Sequence, residues 1–225
     1  MTAKRAALGL VLGASMVLAG CGNETDKGIG RKAVLGALTG GAKAPAAAMP
    51  EQIAAAVQGT LATVDLPLAL VMMQKSGTAG ILVHIETNGT YETWGTSDRK
   101  TMVMKNGIVT ATRGLGNDLM SSDTGQAGAL VSARKSGSGG RVLRFIDGEN
   151  HTVELRAACQ VRAGAQSRFT SAEIVGVAVT AMEESCTVDG QTIRNSYLVD
   201  ARGQALQSRQ WLGDAIGYAV IQRLR

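Results

Sequence analysis

Aromatic residues make up only 3% of the 225-residue chain, and it holds just two histidines and three cysteines. So little aromatic surface argues against a tyrosine- or tryptophan-lined groove for sugar rings. It argues equally against the stacking platforms that hold single-stranded nucleic acid. His84 and His151 stand alone, with no C-x-x-C or H-x-x-x-H spacing beside them, so no metal site is expected. Neither histidine has a G-x-S-x-G nucleophile elbow to serve, which leaves no support for Ser/His/Asp catalysis. The formal charge is +5, but Lys4 and Arg5 contribute two of those charges and the remaining basic residues are scattered. That describes ordinary surface charge rather than a nucleic-acid footprint. No cofactor is expected.

Apolar residues account for 45% of the chain, enough to exclude general disorder, and the length suits one domain with a real core. The first residues, Met1-Thr2-Ala3-Lys4-Arg5, are followed by an uncharged run from Ala6 to Leu18. This reads as the basic and apolar regions of a signal peptide spanning residues 1–20. The run is shorter than the roughly 20 residues of a permanent transmembrane helix. Its ending, Leu18-Ala19-Gly20-Cys21, resembles the bacterial lipobox. That resemblance implies that Cys21 is lipidated and becomes the first mature residue. Several acyl chains, each contributing about 0.8 kcal/mol per buried methylene, anchor a protein stably. Gly22, rather than Asp, follows the cysteine. By resemblance to enterobacterial sorting this implies the outer membrane, with the body on the periplasmic face.

With lipid on Cys21, Cys159 and Cys186 remain as an even pair in an oxidising compartment, which favours a disulfide over two separate buried thiols. Residues 21–50 read as a lipidated tether, Ala/Gly-rich with Pro45 and Pro50, in which Arg31–Leu38 could form a short amphipathic helix. A second helix is expected from Pro50 to about Gly59, with Glu51 in its first turn.

Residues 51–225 are expected to form a single antiparallel β-rich domain. Leu68–Met73 is an apolar run of strand length. Ile81, Val83, Ile85 and Thr87 alternate with Leu82, His84 and Glu86 ahead of the turn Asn88-Gly89. Thr101–Lys105 and Ile108–Thr112 flank a second turn at Asn106-Gly107. Ser132–Gly140 reads as a loop, because Ser136-Gly137-Ser138-Gly139-Gly140 has little reason to order itself. Arg141–Ile146, Thr152–Cys159, Glu173–Val188, Thr192–Val199 and Ala205–Trp211 are the later strands; the tail Gly213–Leu224 suits a short helix, or an irregular start followed by a strand. Consecutive hairpins without intervening helices predict a mostly β fold. About ten strands would form a curved antiparallel meander sheet or barrel with short N-terminal helices.

The most motif-like internal segment is Arg113-Gly114-Leu115-Gly116-Asn117-Asp118, a candidate interaction loop. It has G-x-G without the third glycine and does not open a βαβ unit, so it is no phosphate cradle. Glu183 and Glu184 are adjacent and point to opposite faces of a strand, so they cannot form one catalytic pair; they read as solvated charges near the disulfide. Trp94 and Trp211 read as core or rim aromatics.

The lipobox, Tyr91-Glu92-Thr93-Trp94, Thr96-Ser97-Asp98, the run from Asn106-Gly107 through Ala111-Thr112-Arg113-Gly114-Leu115-Gly116-Asn117-Asp118-Leu119-Met120, Cys159, Glu183-Glu184-Ser185-Cys186, Arg209-Gln210-Trp211 and Gly217-Tyr218 together resemble the YjbF/GfcB family of group 4 capsule polysaccharide lipoproteins. The resemblance implies an outer-membrane lipoprotein that works beside polysaccharide-export proteins, among them an outer-membrane β-barrel, with polysaccharide itself a possible ligand. It carries no catalytic residue to this chain, so a non-enzymatic accessory factor in exopolysaccharide or capsule export is expected. Two other readings follow from the residues. One is a periplasmic lipid or lipoprotein carrier, with Met72, Met73, Met102, Met104 and Met120 lining a plastic pocket. The other is a glycan hydrolase using Asp118, Glu183 or Glu184.

Overall fold

Two tight turns show how the ladder is built. Asn106 and Gly107 have φ of 54° and 77°, and Asp189 and Gly190 have 46° and 79°. Left-handed backbone at both central positions gives the turn whose twist matches that of paired strands. Lys105 therefore pairs with Ile108, and Val188 with Gln191.

The computed structural model describes residues 50–149 and 151–225; Cys21, the leader, the tether and the helix expected at Arg31–Leu38 lie outside them. Helix α1 (Pro50–Thr63) precedes β1 (Leu68–Met73), β2 (Thr78–Asn88), β3 (Tyr91–Gly95), β4 (Thr101–Lys105), β5 (Ile108–Arg113) and β6 (Leu119–Asp123). Helix α2 (Gly125–Ala133) follows, then β7 (Gly137–Ile146), β8 (Thr152–Ser171), β9 (Ile174–Val188), β10 (Gln191–Asp200), β11 (Ala205–Trp211) and β12 (Tyr218–Arg223). Pro50 occupies the first turn of α1, where its missing N–H costs nothing, and Glu51 complements the helix dipole. Among the described residues no helix is long and apolar enough to cross a membrane.

The strands form one 12-stranded sheet in the order β5-β4-β3-β2-β1-β12-β11-β10-β9-β8-β7-β6. Every adjacent pair is antiparallel, and the first and last strands of the sheet's sequence, β1 and β12, pair at its centre. β5 and β6, neighbours in sequence, thus fall on opposite edges. A flat sheet of this size would be about 50 Å wide, at roughly 4.8 Å per strand spacing. The five linking residues, Gly114–Asp118, span at most about 20 Å. The connection therefore obliges the sheet to roll until its edges meet, and it closes nearly into a barrel. The expectation of a mostly β, curved or barrel-like meander holds.

Alternation along the strands fills the interior. Ile193, Asn195, Tyr197 and Val199 of β10 are buried, while Thr192, Arg194 and Ser196 between them are exposed. Trp94, Leu82, Met102, Met104, Val109, Leu143 and Met182 are all at most 2% exposed and join one core. α1 lies on the outside of β1 and β2, where Val57, Ile53 and Leu61 pack with Leu68, Leu70, Ile81 and Val83.

Three features differ from the sequence reading. α1 continues past Gly59 to Thr63, with the Thr60 and Thr63 hydroxyls turned back onto the carbonyls of Ala56 and Gly59. β8 runs to Ser171, not Cys159; bulges at Ala163/Gln166 and Phe169/Ser171 bend the later half of β8 and the first half of β9 into an arm. Phe169, Val179 and Leu206, with Leu198, Ile174 and Val177, form a separate cluster beneath that arm. The third is a correction: Gly137–Gly140, read as an unordered loop, is the start of β7, paired with Ala158–Val161. The glycines are there because α2, itself unforeseen, lies against them. A Cβ on Gly139 would stand 2.7 Å from the backbone nitrogen of Ala127. Ala127 and Val131 of α2 are buried in the main core.

Candidate functional site

The Arg113–Asp118 loop closes the barrel. Asp118 accepts hydrogen bonds from Gly114 N (2.8 Å), Leu115 N (3.1 Å) and Thr112 Oγ1 (2.8 Å), folding the loop onto one carboxylate. The Thr112 hydroxyl in turn accepts Leu119 N at 3.0 Å, across the junction of β5 and β6. Arg113 donates to the carbonyls of Thr112 (2.6 Å), Leu119 (3.3 Å) and Met120 (3.3 Å). Side chains of one edge strand thus satisfy backbone groups of the other, which is what an unpaired edge needs.

A second staple comes from inside. Gln210 of β11 reaches across to β5, its Oε1 accepting Val109 N and its Nε2 donating to Gly107 O, both at 2.9 Å. Gly107 also sits against β11: a Cβ there would be 2.5 Å from Ala205 O.

The rest of the loop faces a cavity. At the end of the barrel formed by the β1–β2, β3–β4, β5–β6 and β11–β12 connections there is a mouth of about 500 Å³. Leu115, Gly116 and Asn117 line it, with Met73, Lys75, Thr78, Lys100 and Ile216. A narrow extension of about 90 Å³ continues inward past Met73, Leu82, Met102 and Leu115. Lys75 donates to Asp214 O at 2.9 Å and Lys100 pairs with Asp98 at 2.6 Å, so both ammonium groups are held at the rim. Lys100 and the Thr96 hydroxyl hold the Asp98 carboxyl below its ordinary pKa. The mouth offers mixed polar and apolar contacts of the kind that small ligands or a peptide loop use. The sequence reading found the loop residues but not Lys75 and Lys100, which lie in turns of other hairpins and carry no local signal.

Deep inside, Arg141 and Glu184 form an ion pair at 3.1 Å, with side chains 4% and 1% exposed. Glu184 also accepts from Asn195 Nδ2 (2.7 Å) and Tyr197 Oη (2.8 Å), and Arg141 donates to Ser122 Oγ (3.2 Å). Burial, then the Glu184 carboxylate, push the Tyr197 phenol well above its usual range, so it stays a donor. Burial opposes the Arg141 charge, but the Glu184 carboxylate more than offsets it and its pKa is raised. Asn195 Oδ1 accepts Trp211 N at 2.8 Å, tying this network to β11.

Cys159 and Cys186 face each other across β8 and β9 and are joined by a disulfide, with Cα atoms 3.9 Å apart. Glu184 lies close to both sulfurs, but their bond to each other leaves no thiolate to hold a metal ion.

The two glutamates do point to opposite faces. Glu183 is exposed, whereas Glu184 is not the solvated charge expected: its face of β9 is the barrel interior, where only a paired carboxylate can be kept. Asp118 is engaged entirely in the loop's own hydrogen bonds. His84 makes an edge contact with Trp94 and a 3.0 Å bond to Thr87 Oγ1; His151 is exposed beside Asp147 and Glu149. Among the described residues, those lining the mouth include no carboxylate, histidine or cysteine. Trp94 and Trp211 are both buried. Of the methionines, Met102 and Met104 are core and Met73 lines the mouth.

A family model described as "Group 4 capsule polysaccharide lipoprotein gfcB, YjbF" matches residues 41–224. The crystal structure of the hypothetical lipoprotein YmcC from Escherichia coli (K12) has the same fold, with a TM-score of 0.64 at 20% identity over 76% of this chain and 88% of that one. No curated protein matches the chain.

Proposed function

Because the chain belongs to the YjbF family of group 4 capsule polysaccharide lipoproteins, we propose that it is an outer-membrane lipoprotein serving capsule or exopolysaccharide export as a non-enzymatic accessory factor. In this reading Cys21 carries the lipid, residues 21–50 are the tether, and the barrel stands on the periplasmic face. The observation that carries the reading is the family match across residues 41–224, which includes the loop that closes the barrel.

The placement of the charged side chains supports a binding rather than a chemical role. Glu184 and Arg141 neutralise each other out of reach of solvent, and Asp118 holds its loop. The mouth, with exposed Gly116 and Asn117 beside two lysines, is the surface assigned to an export partner, such as an outer-membrane β-barrel, or to the polysaccharide. A carrier with acyl chains inside the barrel has less room than the sequence suggested, since Trp94, Met102 and Met104 fill the interior.

Deleting the gene is expected to lower the amount or shorten the length of surface polysaccharide, with restoration by the wild-type chain. Cys21→Ser is expected to abolish palmitate labelling and membrane fractionation, and to restore export poorly. Asn117→Arg is expected to leave the barrel folded and lipidated while weakening export. Unchanged polysaccharide in the deletion strain would remove the reading.

A further inference from the structure

The later half of β8 is a strand with one neighbour. β7 pairs with β8 only as far as Val161, opposite Gly137. From Arg162, opposite Glu183, to Ser171, opposite Ile174, β8 keeps β9 alone. β9 in turn leaves β10 at Val179, opposite Asp200, so the end of the arm is a two-stranded ribbon. Such a ribbon is marginal in water by itself. This one is held at both ends. Its root continues the sheet, and at its tip Glu173 N donates to Leu224 O at 3.0 Å while Arg225 bonds the Glu173 carboxylate at 2.7 Å. Phe169 and Val179 pack with Leu198 and Leu206 between those ends. The ribbon is thus ordered before any partner arrives, which lowers the entropy cost of binding.

Every residue from Arg162 to Arg168 is exposed. On the side away from β9, alternate N–H and C=O groups of β8 face outward. Ala163 N donates to Ser136 Oγ at 2.9 Å; beyond it no strand of the described residues pairs with this edge. The bulge at Ala163/Gln166 sets Arg162 apart from Gln166–Phe169, a regular run that lies opposite Thr180–Val177 on β9. The charge around the edge has one predominant sign. Lys135, Arg162 and Arg168 are exposed and make no ion pair among the described residues; Arg168 donates to Gly176 O at 2.7 Å. The nearby carboxylates are Glu183, opposite Arg162, and Glu173, already held by Arg225. Two copies joined edge to edge would set these three cations against the same three, which disfavours self-pairing.

We propose that this β8 edge takes up an extended, glutamate- or aspartate-bearing segment of a second protein as an added strand. Its backbone lies along Gln166–Phe169, and its carboxylates answer Lys135, Arg162 and Arg168. Main-chain hydrogen bonds supply affinity, and complementary charge selects the partner. A polyanion without backbone amides would answer the charge but not the strand edge. The arm stands at the end of the barrel opposite the mouth, so a partner bound there leaves the mouth free.

The test is deuterium exchange, read by mass spectrometry, of the full-length protein in detergent with three blocked octapeptides. One alternates threonine and glutamate, one alternates threonine and lysine, and one is the glutamate peptide fully N-methylated, which keeps the charge without amide donors. The glutamate peptide is expected to slow exchange about fivefold or more across Gln166–Ser171, with no effect on β5 or β6. Both controls are expected to leave exchange as in the free protein. Lys135→Gln/Arg162→Gln is expected to weaken the protection several-fold with thermal unfolding unchanged, since neither side chain has a hydrogen bond or ion pair among the described residues. Arg168→Gln is expected to do the same; if losing its bond to Gly176 O loosens the arm, the first variant decides. No protection by the glutamate peptide, equal protection by either control, protection confined to other strands, or wild-type protection in Lys135→Gln/Arg162→Gln would each overturn the site. So would a dimer in sedimentation whose β8 edge is already protected without peptide.

Discussion

Thr112 and Asp118 stand on either side of the barrel's closing seam, with the threonine hydroxyl donating to the carboxylate at 2.8 Å while accepting Leu119 N. Six positions apart in the chain, they let one carboxylate organise Gly114 and Leu115 and one hydroxyl bridge to β6. Removing the carboxylate orphans three donors at once. Asp118→Ala is expected to lose about 2–3 kcal/mol in urea unfolding, on the scale of unsatisfied polar groups. Asp118→Asn, which keeps one acceptor, is expected to lose about half as much. Faster hydrogen exchange confined to β5 and β6 in the alanine variant would locate the damage; an unchanged seam would show that the loop is dispensable for closure.

Gly107 and Gly89 both turn hairpins with positive φ, 77° and 60°, yet their surroundings differ. A Cβ on Gly89 meets nothing within 4 Å, while one on Gly107 lands 2.5 Å from Ala205 O. Gly89→Ala should therefore cost only the backbone strain, about 1 kcal/mol. Gly107→Ala should cost several-fold more, because β5 must move off β11 and surrender the Gln210 hydrogen bonds. Comparable thermal midpoints for the two variants would refute the close approach as the cause.

The Arg141–Glu184 pair predicts an asymmetric mutational pattern. Replacing Glu184 alone with leucine leaves a buried guanidinium without its counter-charge, at about 3–5 kcal/mol. Adding Arg141→Met should recover a substantial part of that loss, since the charge left stranded is gone. The unpaired Asn195 and Tyr197 groups limit the recovery. A double-mutant cycle by chemical denaturation reads the coupling directly; additive losses would mean that the two side chains act independently.

Breaking the Cys159–Cys186 bridge, which closes a separation of 27 residues, should cost about 3–4 kcal/mol through the freed unfolded chain. The variant Cys159→Ala/Cys186→Ala is expected to keep the fold, because β8 and β9 pair along many residues on both sides of the bridge. Reduction of the wild-type protein should lower its thermal midpoint to that of this variant, and no reducible shift would show that the bridge is not stabilising.

Acid should loosen the rim of the mouth. Lys100 and Thr96 lower the pKa of Asp98, so its interactions stabilise the folded rim above the unfolded carboxylate range and are lost as pH falls through the folded value. The side chain is exposed, so the effect is local rather than global. Carbon-detected NMR titration should show the Asp98 midpoint rising in Lys100→Met; an unmoved midpoint would remove the ion pair as its cause.

An apolar run of strand length, strand-forming residues and glycine-containing turns were enough to read β1, β4 and β11 with their observed bounds, and β5 to within a residue, because those signals act between residues close in sequence. The opposed placement of Glu183 and Glu184 followed from the same alternation, and the partnership of Cys159 with Cys186 from counting cysteines. α2 was not legible: its nine residues include two glycines, its face is weakly patterned, and it is helical because it packs on Gly139 and Gly140. The burial of Glu184 was equally hidden, since Arg141, Asn195, Tyr197 and Ser122 come from three other strands. So was the gathering of Lys75, Lys100 and Asn117 at one end of the barrel and of Arg202, Gln204 and Arg223 at the other. Local chain chemistry determined the strands, the turns and the cysteine pair. Only the tertiary structure decided which edges meet and which side chains share a cavity, because those depend on the pairing of β1 with β12 and the rolling of the sheet that brings β5 to β6.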